Sequence, residues 1–222
     1  TVANLSTDTI SEFQLSRSSL DMSTSLTSSG AVNIATKSGG NSPHGGVFYF
    51  GRNQSMSAKQ SPSQEGDNAP FHRHQVGFNV GGPFVKDKLF WHVSWERFYQ
   101  SDNFVTDPAS VQFFPQMAGN VQLPVGIRYS SARLDWNLNS SVRLFYRFNN
   151  SWDVSTGGSG QSPFQNIDWT NVHVVGVDYT RSRATHSYRF GYVNFNNTIA
   201  SQEFSQFKFP LTGDSVPYFL GV

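Results

Sequence analysis

Residues 72–99 read HRHQVGFNVGGPFVKDKLFWHVSWERFY. Trp91, Val93 and Trp95 alternate with His92, Ser94 and Glu96, so an extended segment carries large apolar groups on one face and polar or ionisable groups on the other. The run before it, HQVGFNVGGPF (74–84), is a second candidate strand, and the tight VKDK between them reads as a hairpin turn. So much aromatic surface on one side of a strand calls for an explanation.

Working outward, the chain shows almost no helical periodicity. Further candidate strands near ten residues long are GGVFYFGRNQ (45–54), KLFWHVSWERFY (88–99), RYSSARLDWNL (128–138), VRLFYRFNN (142–150), VHVVGVDYTR (172–181) and HSYRFGYVNFNN (186–197), bounded by Gly, Asn, Ser or Pro. Their connections alternate in length. Residues 55–71, 100–127 and 151–170 are long, whereas VKDK, NSS and SRAT are short. A sandwich bathed at both ends in water has no reason to sort its loops this way; a membrane barrel, with short turns on one side and long loops on the other, does. An N-terminal segment entering from the short-turn side gives every later connection the right parity.

Composition restricts the function classes. Of 222 residues 37% are hydrophobic and 15% aromatic, only 14% are charged, and the formal net charge is +1. That profile argues against a disordered chain and against nucleic acid as a partner. No apolar run is long enough for a transmembrane helix, no signal peptide is evident, and the absence of cysteine removes disulfides and thiolate metal sites. There is no Gly-x-Ser-x-Gly elbow, paired-carboxylate motif, phosphate-cradling loop or His-Glu-x-x-His, so an enzyme is not expected, and neither is a cofactor.

The strand faces carry the candidate site. Val142, Leu144, Tyr146 and Phe148 oppose Arg143, Phe145, Arg147 and Asn149; Ala132, Leu134, Trp136 and Leu138 oppose Arg133, Asp135 and Asn137. In a soluble sandwich the apolar face is core; in a membrane barrel it faces lipid and the polar face lines the lumen. Aromatics near strand ends (Trp91, Phe98, Tyr99, Trp136, Trp152, Trp169, Tyr179) favour the barrel, because Trp and Tyr collect at bilayer interfaces. The lumen-facing, ligand-contacting candidates are then His92, Ser94, Glu96, Arg133, Asp135, Arg143 and Arg147, with Leu89, Trp91, Val93, Leu134, Trp136, Leu144 and Tyr146 toward lipid. His72 and His74 share a strand face and, with His92, could reach one metal ion, but a histidine pair near a loop end reads as a hydrated surface feature, and no metal is expected.

Three stretches, DTISEFQLSRSSLDMS (8–23), SGAVNIATKSGGNSPHGGVFYFGRNQ (29–54) and PFHRHQVGFNVGGPFVKDKLFWHVSWERF (70–98), together resemble the plug-to-barrel junction of TonB-dependent outer-membrane transporters, particularly the Oar-like group. Ile10, Glu12 and Phe13 match an IxEF strand. Gly30, Val32, Asn33, Thr36, Lys37, Ser38, Gly39, Asn41, His44 and Gly45 match the small-residue segment that ends the plug. Gly81, Gly82, Pro83, Lys86, Asp87, Lys88 and Phe90 match a GGPxxKDKxFF hairpin. SRS stands where many transporters have RGP, and His72, Arg73 and His74 where the Oar-like group has Arg-Arg-Asn.

The resemblance implies an all-β protein: a plug remnant over residues 1–40, then the first antiparallel strands of a large transmembrane β-barrel over 41–222, with Asn33, Thr36, Lys37, Gly39, His44 and Gly45 at the plug-barrel junction. Within the plug, Ala31–Thr36 is expected to be a buried strand. The resemblance further implies an outer-membrane location, uptake of an extracellular ligand, the lipid bilayer and TonB as partners, and a chain that is an internal piece of a longer protein. The alternative from another class is a soluble all-β binding or adhesion module, a lectin-type sandwich.

Overall fold

The computed structural model of the chain describes residues 6–16, 31–56, 71–105, 120–157 and 164–201. Among these there are strands and two three-residue 3-10 turns, Thr7–Thr9 and Gln54–Met56. β1 (Ile10–Ser16) and β2 (Ala31–Thr36) pair antiparallel as a two-stranded sheet. β3 (His44–Asn53), β4 (His72–Val85), β5 (Leu89–Val105), β6 (Asn120–Asn137), β7 (Val142–Gly157), β8 (Phe164–Arg181) and β9 (Ala184–Ser201) follow in chain order in one seven-stranded antiparallel sheet. No helix among the described residues is long and apolar enough to cross a membrane, which says nothing of crossing by strands.

The strands are much longer than their apolar alternation predicts. β5, β6, β8 and β9 run 17 or 18 residues, roughly 55 Å at about 3.3 Å per residue, where a tilted strand needs only about 9–11 residues to span a bilayer. This corrects the long loops expected at 100–127 and 151–170. Leu123 pairs with Asp102 and Phe164 with Gly157, so much of each stretch is ladder. Backbone hydrogen bonds hold these extensions whatever their side chains; Val121, Leu123, Val125 and Ile127 do alternate in sequence with Asn120, Gln122, Pro124 and Gly126, but Pro and Gly inside the run read as loop. The parts of those loops at 57–70, 106–119 and 158–163, and the SSLDMSTSLTSSG stretch with Gly30, lie outside the described residues.

The short turns lie together at one end of the sheet. Lys88 N–H donates to Val85 O (3.1 Å), and Asp87 takes the left-handed φ of 62° that closes the β4–β5 turn. In the β6–β7 turn the Asn139 side-chain oxygen accepts from Ser141 N–H (2.8 Å) and Val142 N–H (2.9 Å). Neighbouring turns are tied to each other, Asn137 N–H to Lys88 O (2.7 Å) and Thr180 N–H to Ser141 O (2.8 Å). The chain enters from this end: Asn41 and Asp87 exchange two bonds, Asn41 Nδ2 to Asp87 Oδ1 (2.6 Å) and Asp87 N–H to Asn41 Oδ1 (2.8 Å).

Register assigns each side chain to a face. His92, Arg133, Arg147 and Val174 stand opposite one another across β5 to β8, and Val93, Ala132, Phe148 and His173 form the next row on the other face. The first face meets the N-terminal residues and is called inner; the second is outer. Two inner glycines, Gly77 and Gly176, lie under Phe48 and Phe145 of adjoining strands, so a ring fills the space a Cβ would take. Phe98, grouped from sequence with the bilayer-interface aromatics, is inner: Arg73 stacks over its ring at 4.6 Å.

β2 forms where it was expected, but it is not buried as a strand. Thr36 is buried, whereas Ile34 on β2 and Phe13 and Leu15 on β1 are exposed. The small sheet is fastened to the large one at its end, through Ser6–Thr9 and Thr36, and not through its face.

Candidate functional site

The inner face of β4 to β6 is where the N-terminal segment is held. The 3-10 turn Thr7–Thr9 brings a row of short polar groups against the wall. Ser6 Oγ donates to Glu96 Oε2, the Thr9 and Ser94 hydroxyls share a bond of 2.7 Å, and Asn79 Nδ2 donates to Asp8 Oδ2. Gln75 Nε2 donates to the other Glu96 oxygen (2.7 Å), so both carboxylate oxygens are engaged. Lys37 closes the set from behind. Its ammonium meets Asp8 Oδ1 at 3.1 Å and its backbone N–H donates to Thr9 O at 2.8 Å.

Arg133 ties β2 to the same wall. Its Nε and Nη2 fork onto Asp135 (2.8–3.1 Å), while Nη1 donates to both the carbonyl (3.1 Å) and the hydroxyl (3.0 Å) of Thr36. The opposite face of the guanidinium lies over Phe145 at 5.2 Å, and Arg189, paired with Asp178 at 2.6 Å, packs on the same ring at 5.0 Å. A planar cation satisfied in its plane and stacked on a ring is fixed in direction. Arg133 is therefore a rigid bracket between wall and N-terminal sheet.

The candidates read from sequence share this face but not one cluster. Ser94, Glu96, Arg133 and Asp135 meet the N-terminal segment or each other. His92 is buried between them, its ring 6.4 Å from that of His44, and neither ring nitrogen has a hydrogen-bond partner. Arg147 stands directly opposite Arg133, with Nε buried and unbonded. Arg143 is exposed near the turns, opposite Asp178. His72 and His74 are on the outer face, beside Tyr99 and Tyr49, so they do not converge with His92.

The junction residues have distinct tasks. Asn33 lies in β2 opposite Gln14. At Gly39 a Cβ would stand 2.7 Å from Trp91 N and 2.8 Å from Gly82 O, and at Gly45 one would stand 2.5 Å from Asn79 O, so the crossing from small sheet to large runs against bare backbone at both points. His44 opens β3 on the inner face, opposite Gly81.

Burial in this molecule is inverted. Val172 is the one buried hydrophobic residue among those described, while Ser6, Thr9, Thr36, Asn79, His92, Ser94, Glu96, Ser131 and Asn149 are buried and polar. Trp136, Leu134, Val175, Phe190 and Tyr192 are exposed on the outer face. Water as the outer solvent would leave this arrangement without a driving force; hydrocarbon outside supplies one. Residues 35–125 also match the family model described as "Outer membrane beta barrel domain". These antiparallel strands are barrel wall of the outer membrane.

Of solved structures, the barrel chain resembles the siderophore receptor PirA from Acinetobacter baumannii, with 17% sequence identity and a TM-score of 0.43, over 77% of this chain and 29% of that one. It thus spans less than a third of that receptor's length. No curated protein matches it. The barrel wall also uses residues that pattern reading passed over. Gln75 and Asn79 were visible as the polar set of β4, alternating with Val76, Phe78 and Val80. Ser6 and Asp8 had no such signal.

Toward the long-connection end the inner face opens into a recess of about 240 Å³ lined by Phe50, Gly51, Arg52, Arg73 and Gln75. Polar side chains there stand beside an aromatic ring, with Arg73 over Phe98 and Arg52 over Phe71.

Proposed function

We propose that the chain contributes the end of a plug, residues 1–40, and the first wall strands, residues 41–222, of a TonB-dependent transporter of the Oar-like group. It would take up an extracellular ligand through the plugged barrel, by binding and passage and not by catalysis. The observation that carries this is the set of bonds from Ser6, Asp8, Thr9 and Thr36 to the inner wall at Glu96, Asn79, Ser94 and Arg133. A segment inside a barrel that must move when energised is best held by polar contacts that can exchange with water, each worth about 0.5–1.5 kcal/mol net between neutral groups and about 1.5–3 kcal/mol where one partner is charged.

The sheet itself supports a larger barrel. β3 and β9 are its two edges among the described residues, and an unpaired edge in hydrocarbon costs several kcal/mol per backbone group. Further strands are therefore expected to complete the wall. The soluble lectin-type reading would need a second layer over the outer apolar face, and among the described residues none covers it.

The test is binding of the purified periplasmic domain of TonB to the intact protein in detergent, by cross-linking and by calorimetry. Saturable binding supports the proposal. Its absence, with the protein folded by its heat-modifiable electrophoretic mobility, would leave an outer-membrane barrel without this mode of energisation and overturn it.

A further inference from the structure

The acidic groups of the large sheet are confined to one face. Glu96, Asp135, Asp153, Asp168 and Asp178 all take inner positions, and no Asp or Glu occupies an outer position of β3 to β9. Among the described residues, away from the short turns, the outer face carries two permanent cations. These are Arg97 and Arg128, and they stand directly opposite each other across β5 and β6, both exposed. Like charges at directly opposed positions repel, and the carboxylates that might relieve them point the other way.

Their level on the wall is specific. From the short turns upward the outer positions of β6 are Trp136, Leu134 and Ala132, then Ser130, then Arg128. On β7 and β8 the same change comes at Asn150 and Asn171, whose side chains bond at 2.8 Å, followed by Trp152 and Trp169. Arg128 lies over the Trp152 ring at 5.4 Å. The arginines thus sit where the apolar band gives way to polar groups, at the tryptophan level, on the long-connection side. In barrels of this kind that side is extracellular.

We propose that Arg97 and Arg128 form an outward-facing clamp for the phosphate of a lipid head group in the outer leaflet. Two adjacent guanidiniums match the oxygens of a phosphate ester in forked geometry. The apolar rows beneath, through Val93, Ala132 and Leu134, lie where acyl chains of the same lipid would run. Charge complementarity and the adjoining apolar surface together select a lipid over a free phosphate, which has no use for the latter.

The experiment compares the intact protein with Arg97→Gln/Arg128→Gln and with the charge-matched control Arg181→Gln/Arg183→Gln at the short turns. Each is titrated in phosphatidylcholine nanodiscs with bis-phosphorylated lipid A, with lipid A stripped of its phosphates, and with inorganic phosphate as competitor, retention being read by native mass spectrometry. The double variant should lose at least about tenfold in lipid A retention, as expected for loss of two charge-assisted contacts. The control should keep it, and phosphate-free lipid A should bind all proteins equally weakly. Arg97→Lys/Arg128→Lys keeps the charge and loses the fork, and should fall between; it also serves if the glutamine variant does not fold. Equal retention by wild type and the glutamine variant, or by wild type and the lysine variant where the glutamine variant cannot be made, would overturn the clamp. So would displacement of lipid A by millimolar inorganic phosphate, which would assign the arginines to a free anion.

Discussion

Thr9 and Ser94 are separated by 85 positions in the chain and share a hydrogen bond of 2.7 Å between their hydroxyls. One belongs to the N-terminal 3-10 turn and the other to the inner face of β5, so this bond joins what the chain makes first to the wall it makes later. Cysteines at the two positions can approach within the Cβ separation of about 3.5–4.5 Å that a disulfide requires. Thr9→Cys/Ser94→Cys should therefore oxidise readily in isolated outer membranes. Thr9→Cys/Val93→Cys should not, because Val93 points to the other face. The shift in electrophoretic mobility on reduction reads the result.

Replacing Leu134 by arginine places a charge on the outer face within the apolar band. That should cost about 2–4 kcal/mol in refolding into bilayers if the site is near the midplane. Arg143→Gln, on the inner face and exposed, should stay within about 0.5 kcal/mol. A reversed ranking in urea titrations of the folded barrel would contradict the assignment of faces.

The period of two made those faces legible. Trp91, Val93 and Trp95 against His92, Ser94 and Glu96, and Leu134 and Trp136 against Arg133 and Asp135, are sorted in the structure as in the sequence. Strand length was missed because Pro124 and Gly126 sit inside the Val121, Leu123, Val125, Ile127 alternation, and Ser, Asp and Thr surround Trp152 and Val154, so both stretches look like loops. The N-terminal contacts were hidden for another reason. Ser6 and Asp8 are ordinary polar residues whose partners Glu96 and Asn79 lie 90 and 71 positions away, and such a pairing leaves no local period.

Gly39 should tolerate no side chain. A Cβ there meets the backbone of Trp91 and Gly82, which cannot rotate aside, so Gly39→Ala should cost about 1–3 kcal/mol as overpacking. Gly126→Ala is the internal control, having open space around its added methyl. Refolding yield and urea midpoints of the two variants should separate clearly.

The β4–β5 turn rests on Asp87, which combines a φ of 62° with a side chain bonded to Asn41. Asn tolerates the left-handed region and retains an acceptor, so Asp87→Asn should be nearly neutral. Asp87→Val should be worse than Asp87→Gly, since a β-branched residue is strained at this φ. Thermal midpoints of the three variants in detergent should fall in that order.

The central claim is that β5 has lipid on one side and a polar interior on the other. Nitroxide labels placed singly at residues 91 to 96 in the bilayer-reconstituted protein test it directly, because oxygen concentrates in hydrocarbon and a water-soluble nickel chelate does not. Positions 91, 93 and 95 should be relaxed by oxygen and protected from the chelate. Positions 92, 94 and 96 should be protected from oxygen and immobilised against the N-terminal segment. A reversed alternation, or accessibility without a period of two, would contradict the account.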